Sequence, residues 1–173
     1  MSPEWPVRID KRSTNMVAKK VQPSTTADRE IVISRLLDAP LERVWDAWID
    51  PKAVAQWFGP NGFTITTHEM DVRPGGVWRF TMHGPDGVDY RDRVDYSEVV
   101  QPERLVYVHS GDDDPNRFDV TVTFELQGGK TLLTMRSVFA TAEERARVVR
   151  EVGAIEGGKQ TLARLAEYVE QMA

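Results

Sequence analysis

Residues 153–172 read GAIEGGKQTLARLAEYVEQM. Ile155, Leu162, Leu165, Val169 and Met172 recur at helical spacing and form one stripe, with Gly158 completing it between the first two. The spacing predicts a helix over 154–172 that buries one side along its length. Just upstream, Thr141-Ala142-Glu143-Glu144 has the form of a capping box, in which a threonine oxygen and a glutamate three residues later satisfy orphan amides, so another helical turn is expected to start there.

The partner of this long helix is written upstream. Between residues 64 and 138, β-branched and aromatic runs alternate with turn chemistry at about Thr64–Asp71, Val77–His83, Val88–Val99, Arg104–Ser110, Arg117–Gln127 and Thr131–Val138. Pro74-Gly75-Gly76, Gly84-Pro85-Asp86-Gly87, Gln101-Pro102-Glu103 and Gly128-Gly129 supply the fixed or positive φ that tight turns need. Six strands in an antiparallel meander follow from this spacing. A seventh precedes them, from Arg29 to about Leu37, ended by Asp38-Ala39-Pro40. Leu41, Val44, Trp45 and Trp48 then give one amphipathic helix. Asp50-Pro51 opens a second, shorter one carrying Val54, Trp57 and Phe58. A sheet with one polar face needs cover on the other, and only the terminal helix is long enough to supply it. The expected class is α+β: a seven-stranded curved antiparallel sheet around a long C-terminal helix, with two short helices after the first strand.

Composition narrows the chemistry. The chain has no cysteine, which excludes disulfides, thiolate metal sites and thiol nucleophiles. No apolar run approaches the length of a bilayer span, and a cytoplasmic location is expected. Residues 1–27 carry five basic side chains against two acidic ones and lack sustained periodicity. They are read as a disordered or loosely attached leader before a single domain at 28–173, and Met16 is an alternative start. The remainder of the chain is acidic, which disfavours nucleic acid as a partner.

The segments Ala39-Pro40 with Val44-Trp45 and Trp48, Trp57-Phe58-Gly59-Pro60, and Asp71-Val72-Arg73-Pro74-Gly75-Gly76-Val77-Trp78-Arg79 carry a resemblance. So do Glu98-Val99-Val100-Gln101-Pro102-Glu103-Arg104-Leu105-Val106, Val120 to Phe124, and the Gly157, Leu162, Leu165 spacing. Together they resemble the bacterial homologues of the heat-shock chaperone ATPase activator, a branch of the START-like (SRPBCC) superfamily. The resemblance covers about Arg29 to Met172. It implies a helix-grip fold with space between sheet and helix, and either a small-molecule ligand or a chaperone-type partner, with a place in stress response. Many relatives are similar in having tryptophan where this chain has Gly158. Here either the backbone packs closer or a void opens.

No catalytic motif is evident. There is no G-x-S-x-G elbow, phosphate loop or dinucleotide fingerprint, and no cofactor is expected. His68, His83 and His109 have no helical metal-site spacing and are read as solvated or locally hydrogen-bonded. Asp112-Asp113-Asp114 lacks the alternate spacing of a calcium loop and reads as a solvated acidic loop. Asp92 is the informative position. By period 2 it shares a face with Val88, Tyr90, Val94 and Tyr96, so if that face is concave a carboxylate points into an apolar space and needs a partner. A tyrosine hydroxyl or a backbone amide from a neighbouring strand is the structural expectation. Ligand recognition is the functional one.

The candidate ligand site is Trp57, Phe80, Met82, Tyr90, Asp92, Phe124, Gly158 and Leu162, bordering a cavity between sheet and terminal helix. The function expected is non-catalytic binding of a small apolar or amphipathic ligand by a monomer or homodimer. A protein-interaction module is the alternative, followed by a cavity-based enzyme using Asp92 or a histidine.

Overall fold

The computed structural model describes residues 26–112 and 114–171. Apart from Thr26 and Ala27, the expected leader and the choice between Met1 and Met16 lie outside the described residues. A short 3-10 turn at Ala27–Arg29 leads into strand β1 (Glu30–Leu37). Helices α1 (Leu41–Ile49) and α2 (Pro51–Trp57) follow, then β2 (Thr64–Met70), β3 (Val77–His83) and β4 (Asp89–Val100). Strands β5 (Arg104–Gly111), β6 (Asp114–Gln127) and β7 (Lys130–Val138) complete one seven-stranded sheet ordered β1-β7-β6-β5-β4-β3-β2, with every neighbouring pair antiparallel. The chain closes with α3 (Ala142–Arg147), a π-helical turn (Val148–Val152) and α4 (Ala154–Glu170).

The expected architecture is therefore present. Its stop and start signals act as their chemistry predicts. Asp50 accepts the Lys52 amide at 2.9 Å to start α2, with Pro51 in its first turn. Thr141 Oγ1 accepts the Glu144 amide at 3.0 Å to start α3. The reciprocal half of the capping box is replaced: Glu144 takes Arg147 instead, at 2.7 and 2.9 Å. Gly153 adopts φ +69°, a left-handed conformation that separates the π-turn from α4.

Leu162, Leu165, Ala166 and Val169 of α4 are buried. The aromatic core lies where α1, α2 and the central strands meet. Trp45 packs edge-on to Phe124 at 5.1 Å, Trp48 to Trp57 at 4.8 Å and Phe58 to Trp78 at 5.0 Å, while Trp78 stacks on Phe80 at 3.9 Å. This filled end leaves the β3–β6 end of the grip, under α3 and the π-turn, as the place where space remains.

The loop after α2 is fastened to α4. Arg164 Nη1 donates to the carbonyls of Gly59 and Pro60 at 2.9 and 3.0 Å, and the Asn61 amide donates to Gln160 at 3.1 Å. Burial lowers the Arg164 pKa from its ordinary value, but a guanidinium there stays charged. These contacts bring Pro60 and Phe63 to the edge of the open end.

Candidate functional site

A cavity of about 540 Å³ opens at that end. Its floor is the concave face of the sheet, where Met82 of β3, Tyr90 and Asp92 of β4, His109 of β5 and Phe118 of β6 contribute side chains. Pro60 and Phe63 form one side, and Phe63 lies 6.2 Å from the Tyr90 ring. The roof is α3 and the π-turn, through Glu144, Arg147, Val148, Glu151 and Val152. A π-turn exchanges regular i→i+4 bonding for a local widening of the helix, a device frequent beside functional sites. Arg147 holds Glu144 at 2.7 Å and lies 3.8 Å from Glu151, so the roof carries its own ion network. Arg147 also holds the Glu144 carboxyl below the usual carboxylate range.

Asp92 and His109 meet in the floor. His109 Nε2 lies 3.1 Å from Asp92 Oδ2, and both side chains are only 15% and 17% exposed. The imidazole stacks on Phe118 at 4.9 Å and stands edge-on to Phe80 at 5.9 Å. Asp92 does point to the concave face, and its partner from the neighbouring strand is a histidine, where a tyrosine hydroxyl or backbone amide was the expectation. The other two histidines are locally bonded: His68 to Thr81 at 2.8 Å, and His83 to Thr66 and Asp89, both at 2.8 Å.

A second, smaller space of about 160 Å³ lies beneath the start of α4. Ile31, Ile33, Tyr107, Met135 and Gly158 line it, and it shares His109, Phe118 and Phe139 with the larger cavity as a common wall. The expected single cavity is thus two chambers separated by those three rings. At Gly158 both anticipated outcomes occur together. A Cβ there would collide with Ile33 Cδ1, so α4 packs backbone-close on β1, and an apolar void lies immediately beside the contact.

The sequence-derived site residues divide accordingly. Met82, Tyr90 and Asp92 line the larger chamber and Gly158 the smaller. Phe80 stands behind the wall against His109. Trp57, Phe124 and Leu162 line neither chamber. Trp57 donates its indole N–H to the Ala47 carbonyl at 3.0 Å inside the aromatic core, Phe124 is wedged between Trp45 and Trp48, and Leu162 is spent on helix–sheet packing. His109, Phe118, Phe139 and the roof at 144–152 were not singled out as site residues from the sequence. Asp112, the first residue of the acidic triplet, is exposed and lies 3.8 Å from Arg91, while Asp113 is outside the described residues. No metal-binding group of His, Asp and Glu occurs among the described residues, and no helix there is long and apolar enough to cross a membrane.

Among curated proteins, none is similar enough in sequence to match. Solved structures are more informative. A crystal structure of a protein from Chromobacterium violaceum superposes with a TM-score of 0.74 at 29% identity, covering 82% of this chain and 97% of that one. A protein from Mycobacterium smegmatis gives 0.77 at 26% identity over 86% and 95%. One from Arthrobacter aurescens gives 0.77 at 23% identity over 86% and 90%, a likeness of fold. The family described as activator of Hsp90 ATPase homolog 1-like protein matches residues 38–170, most of the chain and nearly all of the sheet-and-helix grip. The chain belongs to the family of activator of Hsp90 ATPase homolog 1-like proteins, START-like in fold.

Proposed function

We propose that residues 28–173 form one domain that binds a small apolar or amphipathic molecule in the larger chamber, without catalysis. The observation that carries this reading is the chamber itself. Its volume of about 540 Å³ falls in the range of small-molecule sites, and its aromatic and aliphatic lining is joined by the Asp92–His109 pair in the floor and the Glu144–Arg147–Glu151 network in the roof, the mixed wall an amphipathic molecule needs. Met82 suits such a role, because an unbranched thioether adapts to ligands of different outline.

Native mass spectrometry of the protein purified from its own host tests the proposal. A retained small molecule that is lost on denaturation is the expected result. Protein of bare mass that also takes up no apolar probe would refute it. The reading to prefer would then be a protein-interaction module, which the family description favours. Val32 and Leu36, 52% and 47% exposed on β1, would be the first residues to test for partner contact.

A further inference from the structure

The polar corner of the larger chamber has a defined hydrogen-bonding sense. A carboxylate only accepts hydrogen bonds, so the 3.1 Å contact to Asp92 places the imidazole proton of neutral His109 on Nε2. Nδ1 is then left with its lone pair. It makes no hydrogen bond among the described residues, and the ring that carries it lines both chambers. Phe118 and Phe80 clamp the ring in place.

The charges around it argue against an ionic ligand group. The larger chamber is lined by three carboxylates, Asp92, Glu144 and Glu151, and two guanidiniums, Arg117 and Arg147, so it carries no surplus positive charge to hold an anion. A cation would meet Arg117 and Arg147 in the same lining. A neutral group that donates a hydrogen bond satisfies Nδ1 at no such cost.

We propose that the chamber selects largely apolar molecules bearing a neutral hydroxyl, a phenol or alcohol whose O–H donates to His109 Nδ1 while its hydrocarbon part lies against Met82, Phe118 and Phe139. This deepens, and rests on, the reading of the chamber as a ligand site. Asp92 acts as a positioning residue, fixing the tautomer of the imidazole without touching the ligand.

The test compares 1-naphthol with 1-methoxynaphthalene by isothermal titration. The two share a ring system and differ in the O–H. The wild-type protein is expected to bind the naphthol about 3- to 10-fold more tightly, the span of one net hydrogen bond. The Asp92→Leu/His109→Phe double variant removes both partners, so no buried charge is orphaned. It should still bind the ether and lose the preference. Should that variant fail to fold, imidazole 15N spectra of the wild type give the same answer: the Nδ1 resonance should move with naphthol and stay in place with the ether. Equal affinities in the wild type, or a preference that survives in the folded double variant, would overturn the hydroxyl proposal and leave the ligand site standing. Binding of neither compound would overturn both.

Discussion

Replacing Gly158 with alanine sets helix propensity against packing at one known atom. Within α4 the change should gain about 1 kcal/mol, because glycine is the poorer helix former by roughly that amount. The new methyl, however, collides with Ile33 Cδ1, and overpacking a filled contact costs about 1–3 kcal/mol. The single variant should therefore be neutral to about 2 kcal/mol less stable. Ile33→Val removes that δ-methyl at an expected cost of about 0.5–1.5 kcal/mol. Once it is gone, the nearest remaining neighbours of the alanine Cβ are Ile33 Cγ1 at 3.8 Å and Met135 Cε at 4.0 Å, both ordinary contacts. In the Ile33→Val background the alanine should then recover its propensity gain. The double variant should be more stable than the sum of the singles by about 1–3 kcal/mol. Urea denaturation of the four proteins measures this coupling, and thermal melts should show about 2–4 °C per kcal/mol for a chain of this size. Additivity within about 0.5 kcal/mol would refute the reasoning. So would a single Gly158→Ala variant about 1 kcal/mol more stable than wild type, since Ile33 would then be free to swing into the adjoining 160 Å³ space.

Two further outcomes follow from buried and charged contacts elsewhere. Thr131 is fully buried and donates its hydroxyl to the Ala39 carbonyl at 2.9 Å, tying β7 to the β1–α1 corner; Thr131→Val keeps the shape, strands that carbonyl and should cost about 1–3 kcal/mol in denaturant titrations, and an unchanged midpoint would contradict this. The Glu30 carboxyl is held below its ordinary pKa by the Thr26 hydroxyl and by Arg136, so its stabilising contribution is present above the unfolded value and is lost as pH falls through the lower folded value. Melting temperature followed downward from about pH 5 should therefore fall less steeply in Glu30→Gln than in wild type, and parallel curves would show that Glu30 does not contribute.

The fold was legible because its signals are local. A period near 3.6 in residues 154–172, period 2 in the strands and proline or glycine at the turns each act within a few residues, and only one long helix was available to cover a seven-stranded sheet. The direction of Asp92 was readable for the same reason: alternation within β4 holds from Tyr90 to Tyr96, which are both on the concave side. Its partner was not readable. A β-bulge between Tyr96 and Glu98 shifts the β4–β5 register by one residue, so that Val94 faces His109 and Asp92 faces Gly111. Carried on unbroken from the turn, the pairing would have set Val94 against Ser110 and turned His109 to the opposite face. The division into two chambers was hidden for a related reason. His109, Phe118 and Phe139 come from β5, β6 and the residue after β7, and only the assembled sheet brings their rings together. Sequence periodicity thus determined which faces are apolar and how many elements share them. Register and the close approach of α4 at Gly158, which depend on long-range contacts, decided where space remains and which histidine completes the carboxylate's hydrogen bond.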